Sequence, residues 1–423
     1  MPVPAVRRSR PIARVAFGPT LGPSASTREP AVSDLRQHLD DLVDRRREDL
    51  VDLSHAIHGD AEVGFEEHTS SRRVADALQA GGFEVTHGVA DLDTAVLATA
   101  GSGELTIGIC AEYDALPGIG HACGHNVIAA AAVGAGLALA QVADELGLTI
   151  KVLGTPAEEG GGGKILMMQR GAFDGLHAAM MVHPAPFEFP TIPCLAVQHF
   201  NVHYTGRSAH ASAFPHLGRN AADALTVAQV AIGVLRQHIR STDRIHGIVT
   251  DGGDAANIIP ERTAGQWYAR SATLEELKRV LYPRVQDCFR AGALATGTEV
   301  RFEEPGPAYS EFRPDEDLLA LWVREATGIG RELPPDDSLA EGLAGSTDMA
   351  NVSLEIPAIH PMLGIDAGEA VNHQPEFAAA CVTASADRAV RDGALGMART
   401  TLAAAEDPAL RDRLLSATDR HAG

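Results

Sequence analysis

The strongest constraint on the fold of this 423-residue chain is an alternation of short apolar runs with helical patterns in its first half. Apolar runs of strand length, each bounded by turn residues, occupy 94–100, 105–111, 148–154 and 178–183. An Ala/Gly-rich stretch at 127–140 lies between the second run and the third and has the composition of a closely packed, buried helix. Strands that alternate with helices in this way predict an α/β sheet with helices on its faces.

Helical patterns also precede the first apolar run. Apolar positions recur at helical spacing among charged residues over 32–57, which predicts one amphipathic helix. A second helix is predicted over 70–80, because Gly81 and Gly82 follow it and suit a helix end. Residues 1–30 contain several Arg and Pro residues but no apolar segment of signal-peptide length, so we expect a flexible tail there.

After residue 193 the pattern changes to strand, helix, strand, strand, helix and strand. The predicted segments are 197–204, 221–237, 245–250, 263–270, 274–291 and 299–302. This order is β-α-β-β-α-β, the ferredoxin-like pattern. We therefore expect a compact α+β domain over 193–305, inserted into a discontinuous α/β domain that consists of 31–192 and 306–423.

Charge and composition limit the class of function. The formal net charge of -21, from 35 basic and 56 acidic residues, argues against a nucleic-acid partner, because a phosphate backbone requires a basic face. No apolar run has the length of a membrane span, so we expect a soluble protein without a membrane partner. The five cysteines are scattered and odd in number, which is typical of reduced thiols in the cytoplasm. A small-molecule substrate fits these properties best.

Metal-binding residue types are concentrated between the second apolar run and the Ala/Gly-rich stretch. AEYDALP at 111–117 is followed there by GHACGHN at 120–126. Four side chains of this segment should meet at the sheet edge where α/β folds bind ligands. They are Asp114, His121, Cys123 and His125. Thiolate, imidazole and carboxylate at this density suit a divalent transition metal, and the alternative is a buried cysteine with incidental histidines.

A pair of adjacent carboxylates follows the next predicted strand, in GTPAEEGGGGK at 154–164. Glu158 and Glu159 repel each other unless a cation or a proton separates them. One of them can therefore bind a metal while the other acts as a general base. The alternative is an exposed loop in which two neighbouring glutamates have no function.

Two histidines complete a possible ligand set. His183 ends a further predicted strand, and His373 precedes a predicted helix. Each of them alone is more typical of a structural histidine. Together with Cys123, His125 and Glu159, they make up the N, O and S ligands of a two-metal site.

Five segments stand in order along the chain: GHACGHN at 120–126, GTPAEEGGGGK at 154–164, GRSAHAS at 206–212, AANIIPE at 255–261 and STDMANVS at 346–353. They resemble the dinuclear metallopeptidase superfamily of aminoacylases, bacterial glutamate carboxypeptidases and auxin-conjugate amidohydrolases. AEYDALPGIGHACGHN is similar to the branch of peptidase family twenty domain-containing protein 2, a β-alanyl-lysine-type dipeptidase, and of the aminobenzoyl-glutamate hydrolase B subunit. The resemblance extends from about 32 to 377. It implies an α/β, zinc-peptidase-like catalytic domain and an inserted ferredoxin-like α+β domain that serves as a lid and a dimerisation domain.

The resemblance also implies the ligands of two divalent ions, Zn²⁺, Mn²⁺ or Co²⁺. Cys123 would be the bridging thiolate, and the other ligands would be His125, Glu159, His183 and His373. The usual His-x-Asp ligand motif of the superfamily reads Glu112-x-Asp114 here. His125 then substitutes for the missing histidine, and Asp114 supports the ligands instead of binding metal.

Three further roles come from the resemblance. Glu158 would be the general base, and His210 would stabilise the oxyanion from the inserted domain of the other subunit of a homodimer. Asn257 would contact the carboxylate of the substrate, although a turn residue between two strands is an equally good interpretation of it.

These roles imply a metal-dependent hydrolase that cleaves the amide bond of a small peptide-like substrate with a free carboxylate. A β-alanyl-lysine type dipeptide is favoured, with aminobenzoyl-glutamate or an N-acyl amino acid as the alternative. A hydrolase with Cys123 as its nucleophile remains open, but it leaves the Glu pair, His183 and His373 without a role. A non-catalytic metal-binding protein also remains open, and the presence of Glu158 argues against it.

Overall fold

A computed structural model of the chain describes residues 32–191, 193–334 and 345–418, so the tail predicted at 1–30 lies outside the described residues. The first part contains α1 (Val32–Arg45), α2 (Arg47–Asp60), α3 (His68–Ala80), β1 (Glu84–His87), β2 (Val96–Gly101), β3 (Leu105–Glu112), α4 (His125–Leu139), α5 (Ala143–Leu146), β4 (Leu148–Thr155), α6 (Gly163–Gln169), β5 (Ala178–Met180) and β6 (His183–Ala185). The middle part contains β7 (Ala196–Thr205), α7 (Ala221–Leu235), β8 (Arg244–Asp251), β9 (Arg262–Ser271), α8 (Leu274–Glu276), α9 (Tyr282–Thr296) and β10 (Glu299–Glu303). The last part contains α10 (Glu316–Gly328), α11 (Met349–Glu355), β11 (Ala358–Ile359), β12 (Met362–Gly364), α12 (Pro375–Ala380), α13 (Ala384–Glu406) and α14 (Pro408–Thr418).

The first and last parts share a six-stranded sheet in the order β1-β2-β4-β3-β5-β11. β3, β4, β5 and β11 are parallel, and β1 and β2 run antiparallel at one edge. Successive residues of β3 point to opposite faces, so Ile109 packs in the core of α4 and α13, whereas Cys110 packs with Met167 and Met349 on the other side. The predicted α/β sheet with helices on its faces is confirmed.

The helix α4 is buried at all of its positions, because it lies between the sheet and α13. Small residues allow α4 and α13 to pack this closely. A Cβ atom at Gly134 would stand 2.9 Å from the Cβ of Ala394, which is closer than two carbon atoms can pack. This packing fixes the N-terminus of α4, where His125 begins the helix.

The middle part forms a second, antiparallel sheet in the order β10-β7-β9-β8 with α7 and α9 packed together beside it. Its element order is β-α-β-β-α-β, and it has a core of its own that includes Phe200, Trp267 and Phe289. The predicted ferredoxin-like α+β domain is confirmed, and the boundaries near 193 and 305 stay a prediction. No helix in the described part of the chain combines the length and apolarity needed to cross a membrane.

Two predicted helices are interrupted. The single helix expected over 32–57 is two helices, because Arg46 (φ -98°, ψ 2°) departs from helical geometry. Leu50 and Ile57 remain buried beyond the break, so the apolar spacing does not reveal it. The helix expected over 274–291 contains a π-helical turn at Leu277–Leu281, next to Pro283, which has no N–H to donate to the preceding turn.

The prediction of a single strand over 178–183 is also wrong. β5 ends at Met180 in the main sheet, whereas β6 begins at His183 and pairs with β12 in a separate two-stranded sheet. Met181 and His183 still donate to the carbonyl oxygens of Ile359 and Pro361, but Pro361 has no N–H group with which to return a hydrogen bond. His183 therefore stands at the point where the chain leaves the six-stranded sheet.

Candidate metal centre

The carboxyl ends of two neighbouring parallel strands bring the carboxylates of the site together. Glu112 at the end of β3 is paired in register with Thr155 at the end of β4. Asp114 follows the first strand, and Glu158 and Glu159 follow the second. His125 begins α4 at the same edge, which is where α/β sheets commonly bind ligands.

The five predicted ligands meet in two groups that share Cys123. One group consists of Cys123, His125 and His183, and the other of Cys123, Glu159 and His373. In each group the potential ligand atoms lie within 4.8 Å of one another. The Cys123 Sγ atom is 3.5 Å from His183 Nε2 and 3.6 Å from His373 Nε2. A shared sulfur between two three-residue groups is the arrangement that a bridging thiolate requires.

Hydrogen bonds orient the imidazoles towards the centre of these groups. His183 Nδ1 lies 2.8 Å from the carbonyl oxygen of Pro184, and His125 Nδ1 lies 3.0 Å from Asp114 Oδ1. Each Nδ1 therefore donates away from the centre and leaves Nε2 as the free ligand nitrogen. Asp114 also accepts the N–H of Glu159 over 3.0 Å, so one carboxylate fixes two of the predicted ligands.

Buried polar atoms without a partner indicate that the described groups fit metal ions. His125 Nε2, Glu159 Oε1 and Glu112 Oε2 make no hydrogen bond, although His125 Nε2 lies 3.3 Å from Glu112 Oε2 and Glu159 Oε1 lies 3.5 Å from His373 Nε2. Burial and the nearby Glu159 raise the pKa of the Cys123 thiol, so the protein's own groups do not favour the thiolate. A divalent cation favours the thiolate directly and accepts the free imidazole and carboxylate atoms as ligands.

Glu158 and Glu159 have different surroundings although they are adjacent. Burial, Glu112 and Glu159 raise the pKa of the Glu158 carboxyl well above its usual value. Burial acts in the same direction on Glu159 and is the largest single influence, but His373, 3.5 Å away, and His125 together outweigh it and lower the pKa of that carboxyl. One carboxyl of the pair is thus suited to hold a proton and the other to remain a ligand.

A buried ion-pair cluster beneath Glu158 was missed from the sequence. The ammonium group of Lys164 bonds to Glu112 Oε1 and lies 2.7 Å from Asp348 Oδ1, and all three side chains are buried. Burial disfavours the charged lysine, but Asp348 and Glu112 outweigh it and hold the pKa of Lys164 above its usual value. The sequence signals were a lysine that ends GTPAEEGGGGK and an aspartate within STDMANVS.

His121 does not join the ligand groups found among the described residues. Its Nε2 lies 3.0 Å from the carbonyl oxygen of Ile57, and its ring is 5.8 Å from that of His58. The expectation that His121 converges with Cys123 and His125 is therefore wrong. His121 faces α2 instead.

His210 and Asn257 lie together in the inserted domain. The bridge His210–Ile258 and the hydrogen bond from Ala211 N to Asn257 O join their two loops, and both side chains are exposed. His210 Nδ1 accepts the N–H groups of Ser212 and Ala213 at 3.3 and 3.2 Å. No contact of His210 with the ligand groups occurs among the described residues.

The sequence matches a known family of peptidases. The family model of peptidase family M20/M25/M40 matches residues 108–391. The chain belongs to this family. Xaa-Arg dipeptidase of Mus musculus is 36% identical over 89% of this chain and 90% of its own length. The B subunit of p-aminobenzoyl-glutamate hydrolase from Escherichia coli is 32% identical over 68% of this chain and 64% of its own length. This member of the M20/M25/M40 family is a metal-dependent hydrolase of peptide or amide bonds.

Solved structures give the same fold at lower identity. An aminobenzoyl-glutamate utilization protein from Klebsiella pneumoniae is 20% identical with a TM-score of 0.68, over 86% of this chain and 98% of that chain. A Bacillus subtilis protein described as a dinuclear metal binding peptidase from the M20 family is 21% identical with a TM-score of 0.64, over 86% of this chain and 99% of that chain. At these identities, the likeness to the two solved structures shows only that this member of the M20/M25/M40 family shares their fold.

Proposed function

We propose that this protein is a dinuclear metallodipeptidase that cleaves the amide bond of small dipeptides with a free carboxylate and a basic C-terminal residue. The observation that carries the proposal is the pair of three-residue groups that share Cys123, with Glu158 beside them. Cys123, His125, Glu159, His183 and His373 hold the two ions, which are Zn²⁺, Mn²⁺ or Co²⁺. Asp114 orients His125 and does not bind metal.

Two divalent ions in these groups would supply Lewis acidity to the amide carbonyl and lower the pKa of a water molecule. Glu158 takes a proton from the attacking water at its carboxylate and delivers it to the nitrogen of the departing amine. Its Oε2 lies 3.9 Å from His125 Nε2, at the edge of the ligand groups. Burial raises the pKa of the Glu158 carboxyl, which favours its holding the proton between the two transfers.

His210 and Asn257 act from the inserted domain of a second copy of the chain in a homodimer. His210 stabilises the oxyanion, and Asn257 contacts the carboxylate of the substrate. The unpaired edge of the second sheet supports this association, because β8 ends the strand order and is exposed at nearly every position. Ile248 and Val249 on that strand are exposed apolar side chains, and an open apolar edge is suited to pairing with the same strand of another copy.

The preferred substrate follows from the relatives and from charge. The relatives named Xaa-Arg dipeptidase cover 89% and 86% of this chain, more than the aminobenzoyl-glutamate hydrolase relative does. A net charge of -21 favours cationic over anionic ligands. Dipeptides of the β-alanyl-lysine and Xaa-Arg types share a basic C-terminal residue, and aminobenzoyl-glutamate is the second candidate.

We place the enzyme in the reducing environment of the cytoplasm. No disulfide joins any of the cysteines in the described part of the chain, and Cys123 must stay reduced to act as a ligand. The cysteine-nucleophile alternative is disfavoured by the same residue, because burial raises the pKa of its thiol.

A substrate and chelator experiment tests the proposal. Hydrolysis of β-alanyl-lysine, an Xaa-Arg dipeptide, aminobenzoyl-glutamate and an N-acetyl amino acid is measured by mass spectrometry before chelation, after chelation, and after Zn²⁺, Mn²⁺ or Co²⁺ is returned. We expect chelator-sensitive hydrolysis that is fastest for the two basic dipeptides. Chelator-resistant hydrolysis would indicate the thiol mechanism, and preference for aminobenzoyl-glutamate would establish the second candidate. Absence of hydrolysis across the panel with two metals bound would contradict the proposed activity.

A further inference from the structure

One phenol makes three hydrogen bonds to the backbone of the loop that carries Glu158. The hydroxyl of Tyr309 donates a hydrogen bond to the carbonyl oxygen of Glu158 over 2.5 Å. The phenol oxygen of Tyr309 in turn accepts the N–H groups of Gly162 at 2.9 Å and of Gly160 at 3.2 Å. A phenol has one proton to donate and lone pairs to accept, so these three bonds use its capacity fully.

The backbone of Tyr309 belongs to a different part of the fold. Its N–H and C=O groups both pair with Val197 at 3.0 Å, near the start of β7. The ring is 3% exposed and packs with Ile165 and Val197. Tyr309 therefore joins the first strand of the inserted domain to the loop that follows β4.

The loop needs such a restraint because its backbone conformation is unfavourable. Ala157 has a φ of 54°, which a residue with a side chain rarely adopts, and Gly160 and Gly162 have φ values of 101° and 67°. Strained segments keep their conformation only where the surrounding structure holds them. Glu67 accepts the N–H of Ala157 at 2.8 Å, and Tyr309 holds the far side of the loop.

We propose that Tyr309 is a positioning residue that fixes the general base Glu158 relative to the ligand groups. It acts through the backbone of the loop and touches neither the substrate nor the ligands. This inference rests on the proposed function of Glu158. Loss of the hydroxyl frees one carbonyl and two N–H groups in a strained loop, so Glu158 leaves its productive position for part of the time.

The variant Tyr309→Phe tests this, with Tyr268→Phe as its matched control. Tyr268 lies in the same aromatic group, stacked on His199 at 3.9 Å, and its hydroxyl makes no hydrogen bond found among the described residues. We expect Tyr309→Phe to lower kcat by about 10–100-fold, because a displacement of about 1 Å costs on the order of 100-fold. KM and metal content should stay within about twofold of the wild-type values. The control should leave kcat unchanged.

Hydrogen exchange separates a positioning role from a general loss of stability. Deuterium uptake of the peptide at 157–164 should rise in Tyr309→Phe, while uptake of the peptide at 121–126 stays at the wild-type value. Unchanged kcat, unchanged uptake at 157–164, or a parallel loss of metal would overturn the proposal. If the wild-type enzyme shows no chelator-sensitive hydrolysis, the proposed function fails, and the exchange measurement still decides whether Tyr309 holds the loop.

A second replacement keeps the test decisive if Tyr309→Phe does not fold. Replacement of Tyr309 by 4-aminophenylalanine retains the ring and a donor for the Glu158 carbonyl but accepts N–H groups poorly. We then expect an intermediate kcat and intermediate uptake at 157–164. Wild-type values for both would overturn the proposal.

Discussion

At the edge of the six-stranded sheet, four predicted ligands lie around Cys123, whereas in the inserted domain the loops of His210 and Asn257 are joined to each other, and neither residue belongs to a ligand group found among the described residues. The first set is held by buried hydrogen bonds, such as those of Asp114 to His125 and Glu159. The second set is exposed to solvent. One chain therefore supplies a geometry for metal binding, but it does not bring every proposed catalytic group to the same place.

The two regions differ in burial: Asp114 and His125 are buried and His373 is the exposed member of the first set, whereas His210 and Asn257 are both exposed. Groups that act within one chain are fixed by the packing of α4 and by the ends of the parallel strands. If His210 and Asn257 act on another copy of the chain, as we propose, they must remain at the surface until that copy binds. Single substitutions can test the proposed roles of the two regions independently.

Replacement of the proposed base gives the largest loss of rate. Glu158→Gln should lower kcat by about 10²–10⁴-fold, because the proton carrier is lost while the ligands remain. Metal content, measured by elemental analysis after dialysis, should be unchanged. Near-normal turnover with metal bound would remove Glu158 from this role.

Removal of the buried ammonium group of Lys164 should cause the largest loss of stability. Lys164→Met leaves Glu112 and Asp348 buried without their partner, and we expect the free energy of unfolding to fall by about 3–5 kcal/mol. Arg279→Met in the inserted domain is the control, since the Arg279–Glu275 pair is exposed and contributes less than about 1 kcal/mol. Chemical denaturation measures both values. Equal effects of the two substitutions would contradict the distinction between a buried and an exposed ion pair.

Replacement of the Cys123 thiolate should lower the metal affinity and the reaction rate together. Cys123→Ser should weaken metal binding by more than about tenfold, since loss of a group that only supports a ligand already costs about 10–100-fold. Cys288→Ser, in the inserted domain, should leave metal binding unchanged. Metal titration of the two variants provides the comparison. Unchanged stoichiometry and affinity in Cys123→Ser would count against bridging.

Mixing of two inactive variants should give the smallest change in activity, and it tests the proposed role of His210 in the inserted domain directly. His210→Ala and Glu158→Gln should each be nearly inactive alone. Random exchange of subunits makes half of the dimers mixed, each with one intact site, so activity should recover to about a quarter of the wild-type value. A tagged pull-down first confirms exchange. If exchange occurs without recovery, His210 acts within its own chain or has no catalytic role.

Sequence patterns predicted the main architecture because each element has a clear periodicity or composition. β3 is an apolar run, α4 is rich in Ala and Gly, and the inserted domain has its elements in the predicted order. The candidate ligands could be selected from the sequence because they lie in recognisable motifs, several of them after predicted strands, and their role as ligands stays a prediction. Breaks were not predictable where the apolar pattern continues through them, as at Arg46 and between Met180 and His183.

Long-range contacts account for what the sequence did not reveal within the site. Lys164 meets Glu112 and Asp348 across separations of 52 and 184 residues, so no local pattern connects them. Tyr309 reaches the Glu158 loop across 151 residues and has no motif of its own. His121 was placed with the ligands because spacing alone does not distinguish the two sides of a tight turn.

The exposed edge at β8 also affects how the activity of this enzyme must be measured. If two chains complete each site, only the associated fraction turns over substrate, and that fraction depends on total protein concentration. Below the dissociation constant of the dimer, the initial velocity rises with the square of the enzyme concentration instead of linearly. A folded and metal-loaded preparation assayed at high dilution would therefore lose specific activity, and it would regain that activity on concentration because a second chain again completes each site.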